Sequence, residues 1–315
     1  MNSKAEKIKA ASIDPAYYQA VTEAIRLQAV QLLKEETVVG VVGYLPGRRK
    51  GTASPALVTT PEQAAALIFS PACANNLSLY LTKAKKGVLK KGRVAIVAKG
   101  CDMRALAGLI GESQIKREDL YIIGVACAGV YGFGTDRSAP LSEANIARKC
   151  RECTVHLPEG ADVTAGSLSS ELTGLTPVET EELARIEAMP QTERWAFWKE
   201  HFSRCIRCLA CRQVCPFCYC EQCLCDKNRP QAVEQSPRPA GNTAWHLVRA
   251  MHLAGRCGGC AECERVCPMD IPLNLLNRRM AKELKELYDY EAGLVPQEKG
   301  PLNQYKEDDD QSFIK

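Results

Sequence analysis

Histidine is scarce in this chain. Its 315 residues hold four, His156, His201, His246 and His252, and they are scattered. There is no HExxH run, no catalytic triad and no paired acid site, so the usual hydrolytic machinery has no residues to work with. Each histidine reads as structural or surface. Phosphate-cradling glycine signatures are missing too: neither a GxGxxG fingerprint nor a P-loop occurs. Net charge is only +4, which gives nucleic acid no electrostatic footprint. No apolar run reaches the ~18 residues that a bilayer span needs. The longest, Thr37–Leu45, reads as a buried strand. Met1–Ala10 carries three lysines and no apolar core, so no secretory leader is expected. The expected location is a reducing, anaerobic cytoplasm.

What the chain has in abundance is cysteine, 17 in all. Eight of these form two copies of one pattern. The first is Cys205, Cys208, Cys211 and Cys215, followed by Pro216. The second is Cys257, Cys260, Cys263 and Cys267, followed by Pro268. Each member of the second copy lies 52 positions after its counterpart, so this is an internal repeat. Three thiolates at this spacing can hold three corners of an iron–sulfur cube, and the fourth cysteine reaches the other cube. On that rule one 4Fe-4S cluster takes Cys205, Cys208, Cys211 and Cys267. The other takes Cys257, Cys260, Cys263 and Cys215. Disulfides belong to oxidising compartments and small secreted domains. Zinc sites use two CxxC pairs or mixtures with histidine and need no third cysteine followed by Cys-Pro.

Apolar runs and breakers outline the elements. Asp14 and Pro15 open a helix that runs through Leu33. The predicted strands are Thr37–Leu45, Arg93–Lys99 and Tyr121–Cys127. Thr60-Pro61-Glu62 opens a short helix, and Asp102 is expected to cap another to about Ile110. Strands alternating with helices imply a sheet covered on both faces, with ligands at the strand carboxyl ends. Cys101 and Cys127 lie at such ends. Residues 154–177 read as a strand and loops. Beyond them the pattern is helical: Glu181–Ala188 with Thr180 as cap, Thr192–Phe202, a helix capped by Asn242 through Ala254, and one opened by Pro272 to about Tyr288. Trp195, Phe197, Trp198 and Phe202 read as core or interface. Lys306–Asp310 reads as a solvated tail.

The run Arg256–Leu276, RCGGCAECERVCPMDIPLNLL, resembles the helical ferredoxin domain of heterodisulfide reductase small subunits and succinate dehydrogenase iron–sulfur subunits. Small bacterial ferredoxins keep their motifs close together, whereas 41 residues separate Cys215 from Cys257 here. The first half resembles the beta subunits of deazaflavin-reducing hydrogenases and formate dehydrogenases. The matching residues are Gly100-Cys101, Cys127-Ala128-Gly129, and the pair Cys150 and Cys153. The resemblance implies that Cys101, Cys127, Cys150 and Cys153 hold a third 4Fe-4S cluster. Read from the residues alone, Cys101 and Cys127 are equally open to being buried core thiols. Cys73 reads as a buried thiol or a substitute ligand.

The expected fold is an α/β first domain, a parallel or mixed sheet with flanking helices, followed by an all-α helical ferredoxin domain. The expected divisions are an N-terminal helical segment 1–36, the α/β domain 37–178, the ferredoxin domain 190–290 and a tail 291–315. Cys218, Cys220, Cys223 and Cys225 are four thiols in eight residues, open to a fourth cluster or to zinc. Arg204, Arg207, Arg212, Arg256 and Arg265 flank the motifs, where they raise cluster potentials or face solvent. The second resemblance also implies FAD, and Gly51, Thr52 and Ala53 match its flavin loop. That loop lacks consecutive glycines and contains Pro55, and a solvated basic turn accounts for Arg48, Arg49 and Lys50. The function implied is electron relay inside a multi-subunit oxidoreductase. Its partners would be flavin-containing heterodisulfide-reductase-like subunits, or hydrogenase or formate dehydrogenase subunits. The alternative is an FAD-containing subunit exchanging hydride with a deazaflavin or NAD(P).

Overall fold

The computed structural model describes residues 14–84, 92–168, 178–294, 300–304 and 307. Residues 1–13, 85–91, 169–177 and most of the tail, with all of its charged run but Glu307, lie outside them. Helix α1 (Pro15–Lys34) starts as expected: the Asp14 carboxylate accepts from Ala16 N at 2.8 Å. Its buried stripe is Tyr18, Val21, Ile25, Ala29, Leu32 and Leu33, the three-and-four spacing of one helix face. Strand β1 (Gly40–Pro46) follows, then strand β2 (Ala53–Val58), which the sequence reading left as loop. Short helix α2 (Pro61–Ala64) is capped by Thr60, and helix α3 (Ser78–Ala84) leads on. Strand β3 (Val94–Ala98), helix α4 (Gly100–Gly111), a 3-10 turn (Arg117–Asp119) and strand β4 (Leu120–Val125) come next. Helix α5 (Arg148–Arg151) and strand β5 (Val163–Ala165) complete this part.

The sheet is mixed, in the order β2-β1-β3-β4-β5. β1 and β2 form an antiparallel hairpin, and every other pairing is parallel. All five residues of β3 are buried, the unbroken apolar run of a central parallel strand. β3 and β4 deliver Cys101 and Cys127 from their carboxyl ends. Asp102 caps α4 from within, as the third residue of a helix that starts at Gly100, in a capping box with Lys99. Its carboxylate accepts from Lys99 N at 2.9 Å and also from Leu77 N at 2.6 Å.

From Val178 on, the described regular elements are helical: α6 (Val178–Glu187), α7 (Gln191–Ser203), α8 (Ala210–Gln213), a 3-10 turn (Leu224–Asp226), α9 (Pro239–Leu253), α10 (Glu262–Arg265), α11 (Leu273–Tyr288) and a last 3-10 turn (Pro301–Asn303). Asn242 lies inside α9, which Pro239 starts, and its amide donates to the Cys205 carbonyl at 2.7 Å. Thr180 lies inside α6, and its N–H and hydroxyl both bond Glu152. Of the α7 aromatics, Phe202 is fully buried and Trp198 stacks on it, while Trp195 is exposed. Among the described residues no helix is long and apolar enough to cross a membrane.

Two hydrophobic cores result. The larger surrounds the sheet and takes in Cys215, Phe217 and Leu253 from the helical part. The smaller joins Phe202, Trp245, Ile271 and Leu273 with Cys211, Cys225 and Cys263.

Candidate iron–sulfur sites

The 52-residue repeat extends to the backbone. α8 and α10 are the same four-residue turn 52 positions apart, and each follows a left-handed residue: Leu209 at φ 59° and Ala261 at φ 52°. Two positions earlier stand Arg207 at φ 56° and Gly259 at φ 71°. The hydrogen bonds match as well: Gln213 N to Leu209 O pairs with Arg265 N to Ala261 O, and Cys215 N to Arg212 O with Cys267 N to Glu264 O. A non-glycine residue with positive φ is uncommon and costs on the order of 1 kcal/mol or more. Alternating left- and right-handed residues turn successive amide N–H groups into one concavity, a nest suited to anionic groups, iron–sulfur clusters among them. Arg207 N already points at Cys205 Sγ, 3.5 Å away.

The thiols fall into three sets. In the first, burial pushes the Cys211 thiol up, and Cys205, Cys267 and Cys208 push it further. In the second, burial and then Cys257, Cys215 and Cys211 bear on Cys263 after the opposing effect of Arg249. Cys260 likewise has Cys257 and Cys215 beside it. Cys267 therefore lies beside Cys211 and Cys205, and Cys215 beside Cys260 and Cys263 as well as Cys218. The third set is Cys101, Cys127, Cys150 and Cys153. Burial and Cys150 and Cys101 push up Cys127, and Cys153 acts on Cys150. The Cys101 thiol is pushed up to about 12, by burial first and Asp102 next.

Local structure explains the third set. Gly100 allows α4 to begin hard against the strand of chain after Cys153: a Cβ there would meet Val155 O at 1.8 Å. Asn76 Nδ2 holds the Cys101 carbonyl at 3.0 Å. Cys127 N donates to His156 O at 2.8 Å. All four thiols line a cavity of about 450 Å³, together with Cys257, Arg104 and residues of α11. The helical part closes over it, because Glu152, beside Cys153, pairs with Arg278 at 2.8 Å.

The remaining thiols are spread over the two cores and the surface. Cys218 packs in the sheet core beside Cys215, and Cys223 and Cys225 belong to the smaller core. Cys220 is exposed. Among the described residues no three His, Cys, Asp or Glu side chains converge on a single metal ion. Cys73 is fully buried in the sheet core, where burial pushes its thiol up to about 11. Gly51 and Thr52 lie in the turn between β1 and β2, where Gly47 N donates to Thr52 O at 2.8 Å, Ala53 opens β2, and none of the three lines the cavity.

The flanking arginines have partners of their own. Arg212 pairs with Asp226, Arg265 with Glu262, Arg256 with Glu112, Arg204 with His201, and Arg207 with the Gly241 and Glu234 carbonyls. Sequence reading missed the cations buried among the thiols. Arg249 faces Cys263, Cys215, Cys211 and Cys218, and Lys149 faces Cys101, Cys150 and Cys260. A signal existed for Arg249: it falls on the buried face of α9 with Trp245 and Leu253, four residues to either side.

The donor chemistry fits iron–sulfur clusters. Three groups of cysteines, two of them on turns with amide nests, lie near one another, and soft thiolates are the donors that such clusters take. No protein-family model matches the chain. It is similar to the F420-dependent formate dehydrogenase subunit beta of Methanocaldococcus jannaschii, 23% identical over 348 aligned positions that cover 84% of this chain and 89% of the relative. The F420-dependent formate dehydrogenase 1 subunit beta of Methanococcus maripaludis is 22% identical, covering 84% and 88%. Among solved structures, the F420-reducing NiFe hydrogenase complex from Methanosarcina barkeri matches with a TM-score of 0.30 and 16% identity, over 42% of this chain and 49% of that one.

Proposed function

We propose that this chain is the iron–sulfur electron-relay subunit of a cytoplasmic multi-subunit oxidoreductase, its helices at 190–290 forming an all-α two-cluster ferredoxin domain on an α/β domain at 37–178. The observation that carries the reading is the matched backbone of the two motifs, and Cys267 near Cys211 with Cys215 near Cys260 supports it. Cys205, Cys208, Cys211 and Cys267 would hold one 4Fe-4S cluster, and Cys257, Cys260, Cys263 and Cys215 a second. Cys101, Cys127, Cys150 and Cys153 would hold a third. When bound, these clusters supply one-electron uptake and release. The chain supplies thiolates, amide donors, burial and order. The third set adjoins the second through Lys149 and Cys260, and the second adjoins the first around Arg249. Cys208 of the first set is exposed, which suits exchange with a partner protein. The relatives' names favour formate dehydrogenase subunits as partners.

The test is metal, sulfide and flavin content of protein purified without air. About twelve irons and no flavin are expected. About eight would make the third set core thiols and overturn the three-cluster form.

A second reading, hydride exchange through bound FAD with an F420-type carrier, is favoured by the cavity of about 450 Å³ beside the third set. Stoichiometric FAD in the same preparation would put it ahead.

A further inference from the structure

Two cations, the buried Arg249 and the partly buried Lys149, stand where the thiol sets meet. Arg249 is 5% exposed, on the inner face of α9. One of its terminal N–H groups donates to the Cys211 carbonyl at 3.2 Å, while its Nε–H has no partner. Among the described residues no carboxylate pairs with it. The groups facing it come from both ferredoxin-type sets: Cys211 from the first, Cys263 and Cys215 from the second, and Cys218 beside them. Lys149, on α5, occupies the next junction. Its Nζ donates to the Cys260 carbonyl at 2.7 Å and the Ala74 carbonyl at 3.4 Å, with Glu262 at 3.7 Å. It faces Cys101 and Cys150 of the third set and Cys260 of the second.

Burying a guanidinium without a counter-charge costs several kcal/mol. The chain nevertheless keeps one on a buried helix face beside Trp245, His246 and Leu253. Negative charge has to reach it from somewhere, and the thiolates of two sets are what surrounds it. Neighbouring anionic centres repel, so an electron placed on one makes the next harder to reduce. A fixed cation at the junction offsets that repulsion for both neighbours.

We infer that Arg249 and Lys149 are potential-setting positioning residues, one at each junction: Arg249 acts on the first and second sets, and Lys149 on the second and third. The inference rests on the relay reading. It needs no change of protonation, since both side chains act as fixed charges.

The test is an EPR-monitored redox titration of the anaerobically purified full chain. Signals are assigned to sets with Cys208→Ser for the first and Cys153→Ser for the third. Arg249→Gln is expected to lower the potentials of the first and second sets by about 59 mV, a tenfold change in the oxidised-to-reduced ratio of a one-electron couple, and to leave the third unmoved. Lys149→Gln should lower the second and third and spare the first. Arg249→Lys should restore wild-type potentials. If Arg249→Gln loses iron while Arg249→Lys keeps it at wild-type potentials, the charge is still the determinant and the inference stands. Unmoved potentials, equal shifts in all three sets, or iron lost from Arg249→Gln and Arg249→Lys alike would overturn it. A wild-type content of eight irons or fewer would instead overturn the relay reading, so the two failures are distinguishable.

Discussion

At the residue scale, the cysteines were legible because their meaning is local. A x2-x2-x3 spacing followed by proline fixes which thiols share a loop, and no tertiary knowledge is needed to read it. Gly100 was not legible in the same way. Its role depends on Val155, 55 positions away, whose carbonyl would lie 1.8 Å from a Cβ. That contact is backbone and cannot rotate aside, so Gly100→Ala must shift the start of α4 or the chain after Cys153. Either shift separates Cys101 from Cys153. The variant is expected to fall from about twelve irons to about eight, with the two ferredoxin-type sets retained and stability lowered by about 1–3 kcal/mol. Iron analysis against EPR spin count checks it. An unchanged iron content would remove the third set's dependence on that close approach. The buried pair Lys99 and Asp102, 2.9 Å apart, was half legible. The acid beside Cys101 reads as a cap and is one, and the tertiary contacts to Lys99 Nζ and Leu77 N are what the sequence could not show.

At the element scale, helix α9 concentrates what the repeat alone could not reveal. Its inner face carries Trp245, His246, Arg249 and Leu253. His246 is 2% exposed, stacks on Phe202 at 4.8 Å, and has no hydrogen-bond partner on either ring nitrogen. Burial, and then the charges of Arg249 and Arg207, hold its imidazole down to about 4. The unfolded value is ~6.5, so the unfolded chain takes up a proton that the folded chain refuses. The stability this lends is complete above pH ~6.5 and is lost as pH falls towards 4, by about 3 kcal/mol over the window. His246→Leu removes the titrating ring. Urea midpoints from pH 7.5 to 5 should fall less steeply for the variant, with little change at pH 7.5. Parallel pH profiles would show that the histidine contributes nothing to acid sensitivity. The long elements were readable from sequence for the same reason α9 was: a helix of fifteen residues shows its periodicity. β2 and β5 were not. Both lie at sheet edges, β2 holds Pro55, and β5 is three residues long, so neither carries a pattern that distinguishes it from loop.

At the scale of the whole molecule, the expectation of two units meets a core that runs between them. Cys215 and Phe217 leave the first motif and pack with the sheet, and Phe217 lies so close over α4 that a Cβ on Gly108 would meet its ring at 2.8 Å. Beside this contact Arg256 and Glu112 form a bidentate pair, with Arg256 Nη2 to Glu112 Oε2 at 2.7 Å, and Tyr219 bonds both partners at 2.8 Å. These residues are far apart in sequence, and no local pattern could have paired them. The second thiolate set is thereby braced by the α/β part and by the helices together. Glu112→Gln and Arg256→Met, singly and together, should give a coupling energy of about 1–3 kcal/mol, the range for a partly buried, charge-assisted pair. The chain offers a clean pair of probes for where that energy acts. Its three tryptophans, Trp195, Trp198 and Trp245, all lie after Val178, so tryptophan fluorescence follows the helical part alone. Amide exchange of β3 follows the sheet. In the wild type the two probes should report one transition, because the core and the ion pair bind the parts into one cooperative unit. In the double variant the fluorescence midpoint should fall below the β3 midpoint. Separate transitions already present in the wild type would mean that the shared core does not couple the two parts, and that the second set is held by the helices alone.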